Sequence, residues 1–167
     1  MARFRSAVAL SSILGLLANT PALADTQARL WARCRGDDAP SQLRACTALI
    51  DSHRETPVNL ARAYFNRGRA RAGQSDYLGA IRDYDRALAR DRDFPDAFNS
   101  RGVAFAAMGQ TAKAIEDFDR AIAQDGNYAI AIYNRALALQ SMGRTQEAAQ
   151  GFQNAKEVDA RLTTPKE

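Results

Sequence analysis

The chain repeats itself at a period of 34 residues. Segments 61–94, 95–128 and 129–162 align without a gap, and five positions recur in them, two large and three small. They are the fourth (Tyr64, Phe98, Ile132), eighth (Gly68, Gly102, Ala136), twentieth (Ala80, Ala114, Ala148), twenty-fourth (Tyr84, Phe118, Phe152) and twenty-seventh (Ala87, Ala121, Ala155). A repeat of this length is one supersecondary unit, so the period decides the fold class before composition is considered.

Each segment has the pattern of two helices joined by a turn. The recurring residues stand at helical spacing, and Gly is present in each predicted turn, at residues 73–76, 108–111 and 142–145. Small residues let the two helix axes approach, and the aromatic side chain fills the space beside them. A single hairpin leaves its other face uncovered, so we expect the hairpins to stack in a row.

This set of positions resembles the tetratricopeptide-repeat (TPR) family. The resemblance implies an all-α fold, a right-handed superhelical stack of helix-turn-helix hairpins. The family usually has Pro at the thirty-second place to stop the second helix, but this chain has Arg92, Gly126 and Ala160 there. We expect Pro95 to stop the helix after the first repeat, and Gly126-Asn127 to end the next one with a left-handed cap.

The N-terminus has the features of a secretory signal peptide. Arg3 and Arg5 precede an uncharged apolar run at residues 6–17, and Ala22-Leu23-Ala24 supplies the small residues that a signal peptidase accepts. Cleavage before Asp25 would place the mature chain in the periplasm or outside the cell. The run is too short for a membrane span, which needs about 20 apolar residues.

The charge balance argues against a nucleic-acid partner. Loss of Arg3 and Arg5 with the signal peptide would lower the formal net charge of +4 to +2. Proteins that bind nucleic acids usually carry a marked basic excess on one face. We therefore expect no nucleic-acid partner and no span of the membrane.

Both cysteines, Cys34 and Cys46, lie ahead of the repeats in segment 25–60. In an oxidising compartment we expect a disulfide between them that fixes a helical hairpin capping the array, with two free buried thiols as the alternative. A metal site is not expected, because two sulfurs with only His53 nearby do not supply four ligands. A Cys-containing hairpin before Asn-Arg-Gly repeats is similar to small exported bacterial members of the family.

The seventh position is Arg in every repeat, and Asp residues recur in the second helices of the first two repeats. We expect a structural ladder in which each Arg pairs with an Asp of the preceding repeat. The predicted pairs are Arg101 with Asp83 or Asp85, and Arg135 with Asp117 or Asp119. The alternative is solvated charge, since exposed ion pairs contribute only ~0–1 kcal/mol.

The sequence shows no constellation typical of an enzyme. His53 is the single histidine, and neither a nucleophile motif nor a metal-ligand spacing accompanies it. Phosphate-cradling Gly-rich loops and HExxH are also missing from the sequence. We therefore predict a protein without catalytic residues, cofactor or metal.

The resemblance instead implies a binding groove on the concave side, lined by the first helices of the repeats. It names nine groove residues: Arg62, Phe65, Asn66, Arg69, Asn99, Val103, Tyr133, Asn134 and Leu137. Aromatic, aliphatic and amide side chains suit an extended or helical peptide. Chaperone-binding members clamp a terminal carboxylate with Lys and Asn, and this chain lacks the Lys members.

We therefore predict an exported, non-catalytic adaptor that binds a peptide or protein segment in its groove, in envelope assembly. The alternatives are a self-associating structural subunit, which would form homo-oligomers, and an accessory domain of an envelope enzyme complex. The predicted organisation is a signal peptide (1–24), a capping hairpin (25–60), three TPR units (61–94, 95–128, 129–162) and a tail (163–167).

Overall fold

The computed structural model describes residues 21–162, with side chains from Thr26 onward. The predicted tail and the first 20 residues of the predicted signal peptide lie outside this part of the chain. The described residues form eight α-helices and no strand, which confirms the all-α fold. The helices are α1 (Pro21–Cys34), α2 (Ala39–Asp51), α3 (Pro57–Gly73), α4 (Tyr77–Leu88), α5 (Pro95–Ala107), α6 (Thr111–Gln124), α7 (Ala129–Ser141) and α8 (Thr145–Val158).

The helices form four consecutive hairpins, and each hairpin packs on the next. The first helices also contact one another, α1 with α3, α3 with α5 and α5 with α7. The second helices α2, α4, α6 and α8 make no such mutual contacts in the described region. Because the first helices lie closer together, they line the concave side of the stack, and the second helices form its convex side.

The turn inside each repeat contains one residue with a left-handed backbone. Gly109 and Gly143 have φ of +73° and +76°, and Ser75, at the same repeat position, has φ of +62°. Gly73, which we expected to relax the first turn, is instead the last residue of α3. The conformation is therefore kept in all three repeats even where the sequence does not supply Gly.

The end of α6 differs from the sequence-based prediction. The left-handed cap expected at Gly126-Asn127 is wrong, because neither residue has a positive φ. Instead Asp125 leaves the helix with an extended backbone, φ −133° and ψ 97°. Its carboxylate accepts a hydrogen bond from the Asn127 backbone N–H at 3.0 Å, so an Asp-centred turn ends the helix.

Small residues set the distance between the helices of each hairpin. A Cβ atom on Gly68 would lie 2.6 Å from the Tyr84 ring, and one on Gly102 would lie 2.7 Å from the Phe118 ring. The third repeat reverses the arrangement, with Ala136 on the first helix. A Cβ atom on Gly151 of α8 would lie 2.9 Å from that of Ala136.

The N-terminal hairpin is held by the predicted disulfide. Cys34 and Cys46 are bonded, with their Cα atoms 4.8 Å apart, and both are fully buried. Gln42 Nε2 donates a hydrogen bond of 3.1 Å to the Cys34 carbonyl. The disulfide lies in a core cluster that also contains Leu49 and Tyr64, so the hairpin and the first repeat share one core.

Candidate functional site

One opening of the concave side lies at its N-terminal end. This N-terminal pocket has a volume of about 550 Å³ and is formed by α1, α3 and the start of α5. The residues that shape it include Trp31, Arg35, Arg62, Phe65, Asn66 and Phe94. Three of the nine predicted groove residues, Arg62, Phe65 and Asn66, therefore lie together in one pocket.

The aromatic wall of the N-terminal pocket is held in place by its neighbours. The Phe65 ring centroid lies 4.8 Å from that of Phe94 and 5.9 Å from that of Tyr84. Trp31 Nε1 donates a hydrogen bond of 3.1 Å to the Glu55 carboxylate. A fixed apolar wall loses little side-chain entropy when it binds a ligand.

The two arginines of the pocket favour a ligand that carries hydrogen-bond acceptors. Arg35 and Arg62 are exposed, and Arg62 forms no side-chain hydrogen bond or ion pair with any other described residue. Asp96 accepts a hydrogen bond of 2.5 Å from the Tyr128 hydroxyl. Burial first, and this bond second, raise the pKa of Tyr128 above its ordinary value, so the hydroxyl stays a donor to Asp96.

A second, smaller concavity of about 220 Å³ continues along the same side. It is lined by Arg69, Tyr77, Asn99, Ser100 and Val103, among others. Val103 is 45% exposed there, whereas Asn99 is only 7% exposed. Three further predicted groove residues therefore line this part, but Asn99 presents little surface to a ligand.

The C-terminal part of the concave side is more closed. Asn134 Nδ2 donates to Asn99 Oδ1 at 3.0 Å, so these amides bond each other rather than standing free. The Tyr133 ring packs 5.2 Å from the Phe152 ring, and Leu137 is 37% exposed. Only Leu137 of these predicted residues offers a freely exposed apolar contact.

Sequence reasoning predicted only three of the nine residues that line the N-terminal pocket. Trp31 and Arg35 come from the capping hairpin, and Phe94 lies between two helices, so none of them belongs to a first helix of the repeat template. A single large aromatic in α1, four residues before an Arg, was the available signal. The repeat pattern alone could not place it against α3.

On the convex side, the Arg residues at position seven of the first two repeats form forked ion pairs within their own repeats. Arg67 Nε and Nη2 lie 2.9 and 2.8 Å from the Asp83 oxygens, and Arg101 bonds Asp117 at 2.7 and 2.8 Å. These pairs within a repeat were not predicted from the sequence, and of the two partners predicted for each later Arg, Asp83 does not bond Arg101 and Asp117 does not bond Arg135. Positions seven and twenty-three face each other across one hairpin, so a pair between them forms within a single repeat.

A second set of bonds joins successive repeats. Arg101 Nη1 lies 2.5 Å from Asp85, and Arg135 Nε lies 2.5 Å from Asp119. In these two pairs each Arg bonds an Asp of the preceding repeat, as the predicted ladder requires. Burial alone would lower the pKa of Arg101, but its bonds to Asp117 and Asp85 outweigh burial and raise that pKa. Arg101 therefore stays positively charged, and its bonds connect α5 with α4 and α6.

Neither a metal-binding cluster nor a membrane-spanning helix is found among the described residues. No cluster of three or more His, Cys, Asp and Glu side chains in this part of the chain could hold a metal ion. His53 is exposed in the α2–α3 connection, with φ of +52°. The helices of this part also lack the length and apolar character required to cross a membrane.

Comparison with known proteins supports the repeat assignment. A family model described as tetratricopeptide repeat matches residues 65–129, and no curated protein matches the sequence. The chain is similar in fold to the crystal structure of MamA, with a TM-score of 0.66 and 24% identity over 74% of this chain and 70% of that one.

Two further solved structures share somewhat more sequence. The second TPR of Spaghetti (RPAP3), bound to the HSP90 peptide SRMEEVD, has a TM-score of 0.58 and 27% identity, covering 59% of this chain and 92% of that one. The Sgt2 TPR domain from Aspergillus fumigatus has a TM-score of 0.59 and 26% identity, covering 62% and 69%. Together with the 34-residue period and the stacked hairpins, these matches show that the chain belongs to the tetratricopeptide-repeat family.

Proposed function

We propose that this chain is an exported, non-catalytic adaptor that binds a peptide or protein segment on its concave side. The observation that carries the proposal is the N-terminal pocket, where Trp31, Phe65 and Phe94 form an apolar wall beside Arg35 and Arg62. Pockets of a few hundred Å³ with an apolar lining and a few directed polar groups are typical binding sites.

The structural neighbours favour a peptide as the ligand. The Spaghetti TPR, which is similar to this chain over 59% of its length, was solved with a peptide bound. In the pocket of this chain, guanidinium groups and the Asn66 amide can donate hydrogen bonds to carbonyl and carboxylate oxygens. We infer that the preferred segment carries an aromatic or aliphatic side chain next to an acidic residue.

Export to an envelope compartment is part of the same proposal. Two fully buried cysteines joined in a disulfide suit an oxidising compartment, and the apolar run at residues 6–17 suits a signal peptide. Intact-mass measurement of the protein recovered from the periplasmic fraction tests this. A chain beginning at Asp25 is expected, and an uncleaved chain in the cytoplasm would contradict export.

Affinity capture from envelope extract tests the adaptor role. The full-length protein is compared with an Arg62→Glu/Asn66→Ala variant, and with Arg82→Glu as a matched charge reversal on an exposed residue of α4. We expect a partner that is retained by the wild type and by Arg82→Glu but lost from the groove variant, with circular dichroism showing that all three are folded. Capture only of further copies of the chain would favour the self-associating subunit, and equal capture by all three would exclude the concave side.

A further inference from the structure

The convex side carries three equivalent grooves, one over each repeat. Each lies between two successive second helices, with the first helix of the repeat as its floor. Groove 1 lies between α2 and α4, groove 2 between α4 and α6, and groove 3 between α6 and α8. The Arg of position seven lies on the floor of each groove. Arg67 bonds Thr47 and Asp83 in groove 1. Arg101 bonds Asp85 and Asp117 in groove 2, and Arg135 bonds Asp119 in groove 3.

In grooves 1 and 2 a guanidinium group of the chain itself lies beside an aromatic ring, on an arginine side chain that is 54% exposed. In groove 2 the guanidinium carbon of Arg120 lies 5.9 Å from the Phe98 ring centroid, and Nη1 lies 3.3 Å from Asp117. In groove 1 Arg86 occupies the same repeat position, 5.7 Å from the Tyr64 ring centroid. The fold therefore holds an arginine side chain at this place in two of its three repeats.

Groove 3 lacks each of these groups and is open. Ile132 replaces the aromatic ring, Gly151 replaces the Asp, and Asn154 replaces the Arg of position twenty-six. All three line a cavity of about 630 Å³, together with Arg135. The cavity thus lies at the three positions where the third repeat has a smaller side chain than the second repeat.

The lining of groove 3 has an acidic excess. It contains three carboxylates, Asp119, Glu147 and Glu157, and one guanidinium, that of Arg135. Arg144, outside the lining, forms a forked pair with Glu147 at 2.6 Å, so three carboxylates face two guanidinium groups. Glu147 stands at the repeat position of Lys113, and Glu157 at that of Ala123. The third repeat has therefore lost one Arg and one Asp from the groove and gained two carboxylates around it.

We propose that groove 3 is a second binding site, which receives an arginine side chain presented by a partner protein. The incoming guanidinium takes the place that Arg120 holds in groove 2. It bonds carboxylates of the rim, while its aliphatic stem packs on Ile132 and Val158.

An acidic side chain is the less suitable occupant. Arg135 already bonds Asp119 at 2.5 Å and Arg144 bonds Glu147 at 2.6 Å, so a further anion would enter beside three carboxylates with both nearby cations engaged. A guanidinium instead offsets the acidic excess and has five N–H donors for the rim oxygens. The site lies on the opposite side of the stack from the proposed peptide groove and does not depend on it.

Nuclear magnetic resonance titration of the ¹⁵N-labelled protein tests the proposal with N-acetyl-arginine amide as the probe. We expect saturable shifts of the backbone amides around Ile132, Gly151 and Asn154. The neutral isostere N-acetyl-citrulline amide should bind at least about tenfold more weakly. Equal binding of both probes, or no saturable shift with the arginine probe, would overturn the proposal.

An Asn154→Arg variant supplies the missing cation from α8 itself, as Arg120 does from α6, and so should remain folded. We expect it to weaken binding of the arginine probe at least about tenfold. Gln146→Arg adds the same charge to the same helix at an exposed position outside the cavity lining and should leave binding within about twofold. Equal loss in both variants, or preferential binding of N-acetyl-glutamate amide, would contradict an arginine site.

Discussion

Grooves 2 and 3 are built from the same 34-residue template, yet they differ in what holds them together. In groove 2, Arg101 bonds two carboxylates, one of which, Asp117, is 2% exposed. In groove 3, Arg135 bonds one carboxylate, and both side chains are partly exposed, at 33% and 51%. The comparison shows that one template position can act as an internal brace in one repeat and as part of an open surface in the next.

The largest expected effect is the difference in stability between two variants, each of which removes a carboxylate from one groove. Asp117→Ala leaves the Arg101 guanidinium, which is 13% exposed, without its forked partner. Because Asp85 still bonds Arg101, we expect the free energy of unfolding to fall by about 3 kcal/mol, the lower end of the cost of breaking a buried pair. Asp119→Ala removes an exposed partner and should cost only about 0–1 kcal/mol. Urea denaturation of both variants measures the difference. Equal losses of unfolding free energy would show that the ion pairs of the two grooves contribute equally to stability, which would contradict the comparison.

A smaller effect is expected where the third repeat reverses the small-residue arrangement. Gly151→Ala brings a Cβ atom to 2.9 Å from that of Ala136, and overpacking of this kind costs about 1–3 kcal/mol. Adding Ala136→Gly restores the arrangement of the second repeat and should recover part of the loss. Thermal denaturation of the single and double variants tests this, and a double variant less stable than the single one would contradict the explanation.

The smallest effect concerns the turns, where the first repeat differs from the other two. Gly109→Ala forces a side chain onto a backbone with φ of +73° and should cost about 1 kcal/mol. Ser75→Gly makes the opposite change at the equivalent position, so it should stabilise the protein by less than about 1 kcal/mol. Chemical denaturation can resolve the opposite signs, and two changes of the same sign would rule out backbone strain as the cause.

The repeat period was sufficient to predict the helices and their stacking, because every unit repeats the same contacts. It was less informative about side-chain partners, as Asp83 and Asp117 show. Both positions seven and twenty-three were visible in the sequence, but only the hairpin geometry decides whether they meet within a repeat or between repeats. The N-terminal pocket was harder still, since Trp31 and Arg35 lie outside the repeated template and no period relates them to Phe65.

The most direct test of the account is site-specific photo-crosslinking in the native compartment. A photo-reactive phenylalanine derivative is placed at Val103, which is 45% exposed on the concave side, or at Leu78, which is 58% exposed on α4 of the convex side. A concave peptide-binding groove predicts a covalent adduct with a distinct partner from Val103, lost when Arg62→Glu is added, and no such adduct from Leu78. Adducts from Leu78 alone, or from neither position, would contradict a concave binding site.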